Sequence, residues 1–265
     1  MPLERARLIE SGTGEAAWNM ALDEALLRLQ SQRCQATLRF YGWTVPTLSI
    51  GYFQKHSSVD QEACRRKGVA WIRRPTGGRG VLHDRELTYS FTSGLDGLPP
   101  GVNGAHRRIS SALARGLHRL GFEAELARHS ERGSSQACFD APSYSELTVR
   151  GKKVVGSAQT RSRAALLEHG SIPLELDISR LLTLLKLDAQ RRGPLVERLE
   201  RRAAGLNQLG QGTVKIELLK AAIAGGFEEE FGFVLEPGEL SPEERALANE
   251  LLATKYRTLA WNLRR

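Results

Sequence analysis

Residues 73–93 read RRPTGGRGVLHDRELTYSFTS, and this stretch decides the architecture. In its second half Leu87, Tyr89 and Phe91 alternate with polar neighbours over Glu86–Ser93. That is the period of a strand with one buried face. Its first half sets Gly77, Gly78 and Gly80 directly after Arg73, Arg74, Pro75 and Thr76. A plain hairpin turn needs one glycine or two. A third lets the backbone approach a ligand and offer N–H groups to an anion or a carbonyl oxygen. No lysine followed by serine or threonine closes the loop, so it is not a nucleotide P-loop.

Upstream, Glu15–Leu29 reads as an amphipathic helix, with Trp18, Leu22, Ala25, Leu26 and Leu29 on one face. Thr37–Tyr41 and Thr47–Phe53 read as strands about a turn at Trp43–Pro46. Asp60–Lys67 is a short helix closed by Gly68, and Val69–Arg73 is a strand. Gly12-Thr13-Gly14 is a helix-capping turn. It is not a dinucleotide fingerprint, because no acid ends the next strand.

Downstream, a helix places Ile109, Ala112, Leu113, Gly116, Leu117 and Leu120 on one face and ends at Gly121. Phe122–Leu126 is strand-like, and Arg128–Ser143 is a long polar loop. Leu147–Val149 and Lys153–Ala158 form a predicted hairpin about Arg150–Gly151, and Leu166–Leu176 adds a strand. Helices are expected over Ile178–Leu187, Leu195–Ala204 and Lys215–Phe231. Ser241-Pro242-Glu243-Glu244 is a capping box that opens a last helix to about Tyr256. Hairpin-length connections among mixed strands and helices predict an α/β (α+β) fold. Its sheet should be mixed, largely antiparallel and flanked by helices.

The chain has 265 residues, 41% hydrophobic and 26% charged, with a formal charge of +8. Such a composition excludes global disorder. No run approaches a membrane span, and the opening MPLERARLIE has no signal-peptide core, so a cytoplasmic address is expected. Cys34, Cys64 and Cys138 make no CxxC pair, so no metal site is expected. The basic balance suits an acidic partner. Zinc-finger spacing and base-stacking aromatic motifs are absent from the sequence, so nucleic acid is not the expected one.

Several segments in order resemble one family. They are Arg73–Asp84, Cys138-Phe139-Asp140-Ala141-Pro142-Ser143, Gly151–Gln159, Glu168-His169-Gly170-Ser171-Ile172, the Asn19–Leu26 run, Lys255-Tyr256 and Trp261-Asn262. This pattern is similar to the lipoate–protein ligase and octanoyltransferase family, whose catalytic domain resembles that of biotin–protein ligases. The resemblance implies a catalytic domain over 1–235 and a C-terminal helical tail over 236–265 packed on it. Ligases of the family carry three consecutive glycines where this chain has Arg79 as the third residue. Cysteine-dependent octanoyltransferases carry their nucleophile where Cys138 stands.

The resemblance therefore implies transfer of an octanoyl group from octanoyl-acyl carrier protein, through a Cys138 thioester, to a lysine of a lipoyl-domain protein or the glycine cleavage H protein. The alternatives are an ATP-dependent lipoate–protein ligase or an amidotransferase working between lipoyl domains. A free thiol with pKa of roughly 8.5 is only a few per cent thiolate at neutral pH, and a nearby ammonium shifts that balance. The family places a lysine beside the nucleophile, which is Lys153 here. The same lysine is suited to protonate the leaving thiol and deprotonate the incoming amine.

Arg74, Thr76, Gly77, Gly78, Arg79 and Gly80, with His83, Ser157, Ala158, His169, Gly170 and Ser171, are the expected acyl-binding set. For His83 and His169 a purely structural place in the core stays open. Thioester exchange followed by amide formation needs no activation, so no ATP and no metal cofactor are expected. Neither is a membrane, and the chain is expected to be a monomer.

Overall fold

A computed structural model describes residues 5–33, 35–127, 146–210 and 212–265. The chain runs β1 (Arg5–Gly14), α1 (Ala16–Leu29), β2 (Thr37–Trp43), β3 (Thr47–Ile50), α2 (Gln61–Arg66), β4 (Ala70–Arg73), β5 (Val81–His83) and β6 (Glu86–Gly94). It continues through α3 (Gly101–Arg119), β7 (Ala124–Leu126), β8 (Leu147–Val149), β9 (Lys152–Lys153), β10 (Gly156–Arg161) and β11 (Ala165–Pro173). It ends with α4 (Ile178–Thr183), α5 (Ala189–Arg202), α6 (Ile216–Phe231), β12 (Val234–Pro237), α7 (Pro242–Leu251) and α8 (Leu259–Asn262).

Six strands form the main sheet in the order β10-β11-β6-β2-β1-β12. The first three pairings are antiparallel; β2 with β1 and β1 with β12 are parallel. A smaller sheet, β4-β3-β5, carries the glycine-rich loop between β4 and β5, and β7-β8-β9 forms a third. This is the mixed, largely antiparallel sheet flanked by helices that the sequence predicts. Apolar residues of α3, α6 and the main sheet, among them Ile109, Leu113, Phe227, Tyr89 and Phe91, make one core. Another cluster joins α1 to α7 and the C-terminal residues, and a further one packs α4 and α5 on the β3 sheet.

Two expectations need correction. Gly12-Thr13-Gly14 ends a strand instead of forming a capping turn: β1 runs to Gly14, with a bulge between Glu10 and Thr13 and Gly12 at φ 61°. The alternation that would reveal β1 is interrupted by Arg7, which is buried against Glu244 at 2.6 Å. The predicted hairpin partner 153–158 is split. Only β9 returns on β8, and β10 then crosses into the main sheet. Val154 and Val155 are both buried, so a two-residue run breaks the alternation where the chain changes sheets. The edge strand β12 is too short and too exposed to read from pattern.

The C-terminal segment braces the approach to the glycine loop. Ser241 caps α7 reciprocally with Glu244, as the capping box predicts. Lys255 Nζ meets Glu24 at 2.6 Å, Trp261 Nε1 donates to Arg73 O at 2.8 Å, and Arg73 N donates to Asn262 Oδ1 at 3.0 Å.

Candidate active site

Between the ends of β10 and β11 and the β3–β5 sheet lies a cavity of about 370 Å³, mouth included. Met20 of α1, Tyr41 and Trp43 of β2 and Val81 of β5 supply apolar surface. Arg74, Ser49, His83, Thr88, His169 and Ser171 supply polar groups, and Gly156, Ser157, Ala158 and Gly170 supply backbone. Gly170 leaves room that nothing larger would: a Cβ there would lie 2.6 Å from Tyr89 Cε1 and 2.7 Å from Gly156 O.

Arg74 organises the polar wall. Its Nε and Nη2 donate to Gly77 O at 3.1 and 2.7 Å, and Nη2 also reaches Arg79 O at 2.9 Å. The loop is thus wrapped around a guanidinium. Gly78 sits at φ 90°, and a Cβ on Gly51 would lie 2.0 Å from the Gly78 carbonyl oxygen, so the two backbones touch. On its other side Arg74 donates to Thr76 Oγ1 and Ser49 Oγ, each at 3.2 Å. Both hydroxyls then have a proton to give. Thr76 gives its proton to His169 Nε2 at 2.7 Å, and Ser49 Oγ is hydrogen-bonded to His83 Nε2 at 2.8 Å.

Each imidazole is held from behind by a carboxylate. His169 Nδ1 donates to Asp23 Oδ2 at 2.9 Å, and His83 Nδ1 donates to Glu86 Oε1 at 2.7 Å. Asp23 in turn accepts from Arg39 Nη1 at 2.7 Å and Tyr41 OH at 2.9 Å. Glu86 also accepts from Thr88 and Ser171, while Trp43 stacks on His83 with centroids 4.3 Å apart. The side chains are locked by these bonds before any substrate arrives.

Burial is the largest influence on Asp23 and opposes its ionisation, but Arg39 and then His169 outweigh it and hold its carboxyl below the ordinary value. The same balance holds for Glu86, where burial is overcome by His83, Ser171 and Thr88. Burial keeps His169 below the ordinary imidazole range, so the neutral ring is favoured. The sign of the pH dependence follows. A lowered carboxyl stabilises the fold above its unfolded value, 3.8 for Asp and 4.5 for Glu, and that contribution is lost as pH falls through the folded value. A lowered histidine likewise favours unfolding below 6.5, where the unfolded ring takes the proton first. The melting temperature should therefore fall steadily from pH 6.5 to pH 3. A flat profile over that range in calorimetry would contradict this electrostatic reading.

Of the expected acyl-binding set, Arg74, His83, Ser157, Ala158, His169, Gly170 and Ser171 line the cavity. Thr76 stands behind His169, while Gly77, Gly78, Arg79 and Gly80 belong to the loop around Arg74 and lie outside the lining. Lys153 is 1% exposed, three residues before the cavity-lining Gly156, and its Nζ donates to Glu146 Oε1 at 2.6 Å. Cys138 and Cys34 lie outside the described residues. Cys64 is buried, and burial pushes its thiol up to about 11, which suits a core residue and not a nucleophile.

Sequence reading assigned no role to Asp23, Glu86, Arg39 or Glu146. For Asp23 a signal existed: Asn19 and Asp23, one turn apart on α1, are polar residues that the fold buries beside Arg39. Glu86 opens the very strand whose alternation is clearest, three residues after His83.

The site is a cavity on this mixed sheet with two histidine–carboxylate pairs in its walls. The chain belongs to the lipoyl protein ligase A/B catalytic domain family, whose sequence pattern matches residues 15–228. It is 48% identical to the octanoyltransferase LipM of Kyrpidia tusciae over 271 residues, covering 98% of each chain. With the octanoyltransferase LipM of Bacillus subtilis it shares 41% identity over 278 residues, all of both chains. Among solved structures it resembles the bipartite lipoate protein ligase of Thermoplasma acidophilum, with TM-score 0.84 at 26% identity over 98% of each chain. A lipoate-protein ligase A bound with ATP matches with TM-score 0.81, also at 26% identity over 98% of each.

Among the described residues no helix is long and apolar enough to cross a membrane.

Proposed function

We propose that this protein is an octanoyltransferase of lipoate biosynthesis. It takes octanoate from octanoyl-acyl carrier protein and delivers it to a lysine of a lipoyl-accepting protein, the glycine cleavage H protein in the first instance. The observation that carries this reading is end-to-end identity of 40–48% to octanoyltransferases. The cavity supports it, with apolar walls at Met20, Tyr41, Trp43 and Val81 beside the strand that leads from Lys153. Burying an octanoyl tail at ~0.8 kcal/mol per methylene gives roughly 5 kcal/mol of binding.

In the first step the Cys138 thiolate attacks the thioester carbonyl of the donor. The new C–S bond forms, the carrier's C–S bond breaks, and the carrier sulfur leaves with a proton from the Lys153 ammonium. In the second step the acceptor's free amine attacks the Cys138 thioester. The C–N bond forms, the Cys138 C–S bond breaks, and the surplus amine proton returns to Lys153. At the start of the cycle Lys153 Nζ is paired with Glu146 Oε1 at 2.6 Å. Thioester exchange is near energy-neutral and amide formation is downhill, so no nucleotide is consumed. The cytoplasm, where carrier and acceptor meet, is the proposed location.

The likeness to an ATP-bound ligase supports a second reading, free octanoate activated as an adenylate. Arg79, in place of a third consecutive glycine, weighs against it. Three parallel reactions separate the readings. Octanoyl carrier protein plus acceptor without nucleotide should give the octanoylated acceptor. Octanoate with ATP and Mg²⁺ should give no acyl-adenylate, and an octanoylated lipoyl domain should be a poor donor. Adenylate formation with no transfer from the carrier would overturn the proposal in favour of the ligase.

A further inference from the structure

Helix α5 packs beside the strand that carries Lys153. Ala204 N donates to Lys153 O at 3.1 Å, Ala203 bridges Lys153, and Lys152 Nζ donates to Glu200 O at 2.7 Å. Across the same junction Arg150 donates to Leu209 O at 2.8 Å. Only Leu199 of this helix is buried, with Leu195 and Val196 partly packed on the core beneath. The helix carries five arginines against Glu197 and Glu200, of which Arg192, Arg198 and Arg202 are half-buried. Arg191 and Arg201 are exposed, the Arg201 side chain by 70%, although Glu197 lies 3.9 Å away.

We propose that the arginine face of α5, continued by Arg150 and Lys152, is the docking surface for the acidic acyl carrier protein that brings the octanoyl group. The proposal rests on the octanoyltransfer reading. Lys153 is buried, so the reacting end lies beneath the surface. A carrier presents its thioester on a long phosphopantetheine arm. Its body can therefore rest on α5 while the thioester reaches inward, and the arm's phosphate is a further anion for a guanidinium fork. An acceptor offers one lysine side chain and has to sit directly over the opening. Opposite charge also speeds encounter, an effect that salt screens.

The test compares full-length wild type with Arg191→Glu/Arg201→Glu in steady-state transfer. The KM for octanoyl carrier protein should rise at least tenfold with kcat within twofold, and its dependence on salt should flatten. The KM for octanoyl-pantetheine, which lacks the carrier body, and the KM for the acceptor should not change. Arg191→Gln/Arg201→Gln should fall between the two and serves if the charge reversal does not fold. An unchanged carrier KM overturns the proposal. So does an equal loss with octanoyl-pantetheine, which would mean damage near Lys153, or a rise confined to the acceptor, which would place the acceptor on α5. Wild type that transfers from neither donor would defeat the octanoyltransfer reading itself, and this surface with it.

Discussion

Asp23→Ala is expected to lower the unfolding free energy by about 3–5 kcal/mol, the cost of breaking a buried ion pair from one side. Asp23 and Arg39 are both fully buried and 2.7 Å apart. Without the carboxylate the Arg39 guanidinium keeps Ser11 and Asn19 as partners but loses its counter-charge. Tyr41 OH and His169 Nδ1 lose their acceptor together. Freed from Asp23, the His169 ring is held only from its Thr76 side, so the cavity wall loosens as well as the core. Asp23→Asn preserves volume and one acceptor and should cost less. Chemical denaturation of the three proteins checks this. A loss under 1 kcal/mol for Asp23→Ala would mean that the network adds nothing to stability.

Lys153→Met should have the larger effect on activity, a loss of at least ~10²-fold in acyl transfer, the scale of a positioned acid–base group. It should also destabilise the fold, because Glu146, 7% exposed, would face an apolar side chain. The two consequences are separable. Lys153→Met/Glu146→Gln removes the stranded charge and should recover much of the stability while remaining inactive. Recovery of transfer along with stability would reduce Lys153 to a structural residue. Thermal melts and single-turnover transfer, measured on the same preparations, decide between these outcomes.

Much of this architecture is written in local pattern. The alternation of Leu87, Tyr89 and Phe91 reports β6, because a central strand with one apolar face leaves that period in the sequence. The reciprocal cap at Ser241 and Glu244 is equally local. β1 is hidden because Arg7 occupies a buried position where its charge is met by Glu244, 237 residues away. The site divides in the same way. The glycines of the 77–80 loop stand out by their spacing, whereas His83 and His169 are expected only through the family resemblance. Asp23 does not, because its partner His169 is 146 residues further on and no local rule links them. Glu146 is likewise an ordinary acid until the fold turns Lys153 back on it. Seven of the fourteen residues that line the cavity belong to the expected set; those that hold them in place mostly do not, since their meaning lies in long-range pairing.

The reaction scheme stands on a covalent acyl group at Cys138. Intact-mass spectrometry after brief mixing with octanoyl carrier protein, acceptor omitted, tests it most directly. Wild type should gain one octanoyl group in a hydroxylamine-labile bond, and Cys138→Ser should show no labile adduct. The same labile adduct on Cys138→Ser, or full transfer activity in that variant, would contradict the scheme.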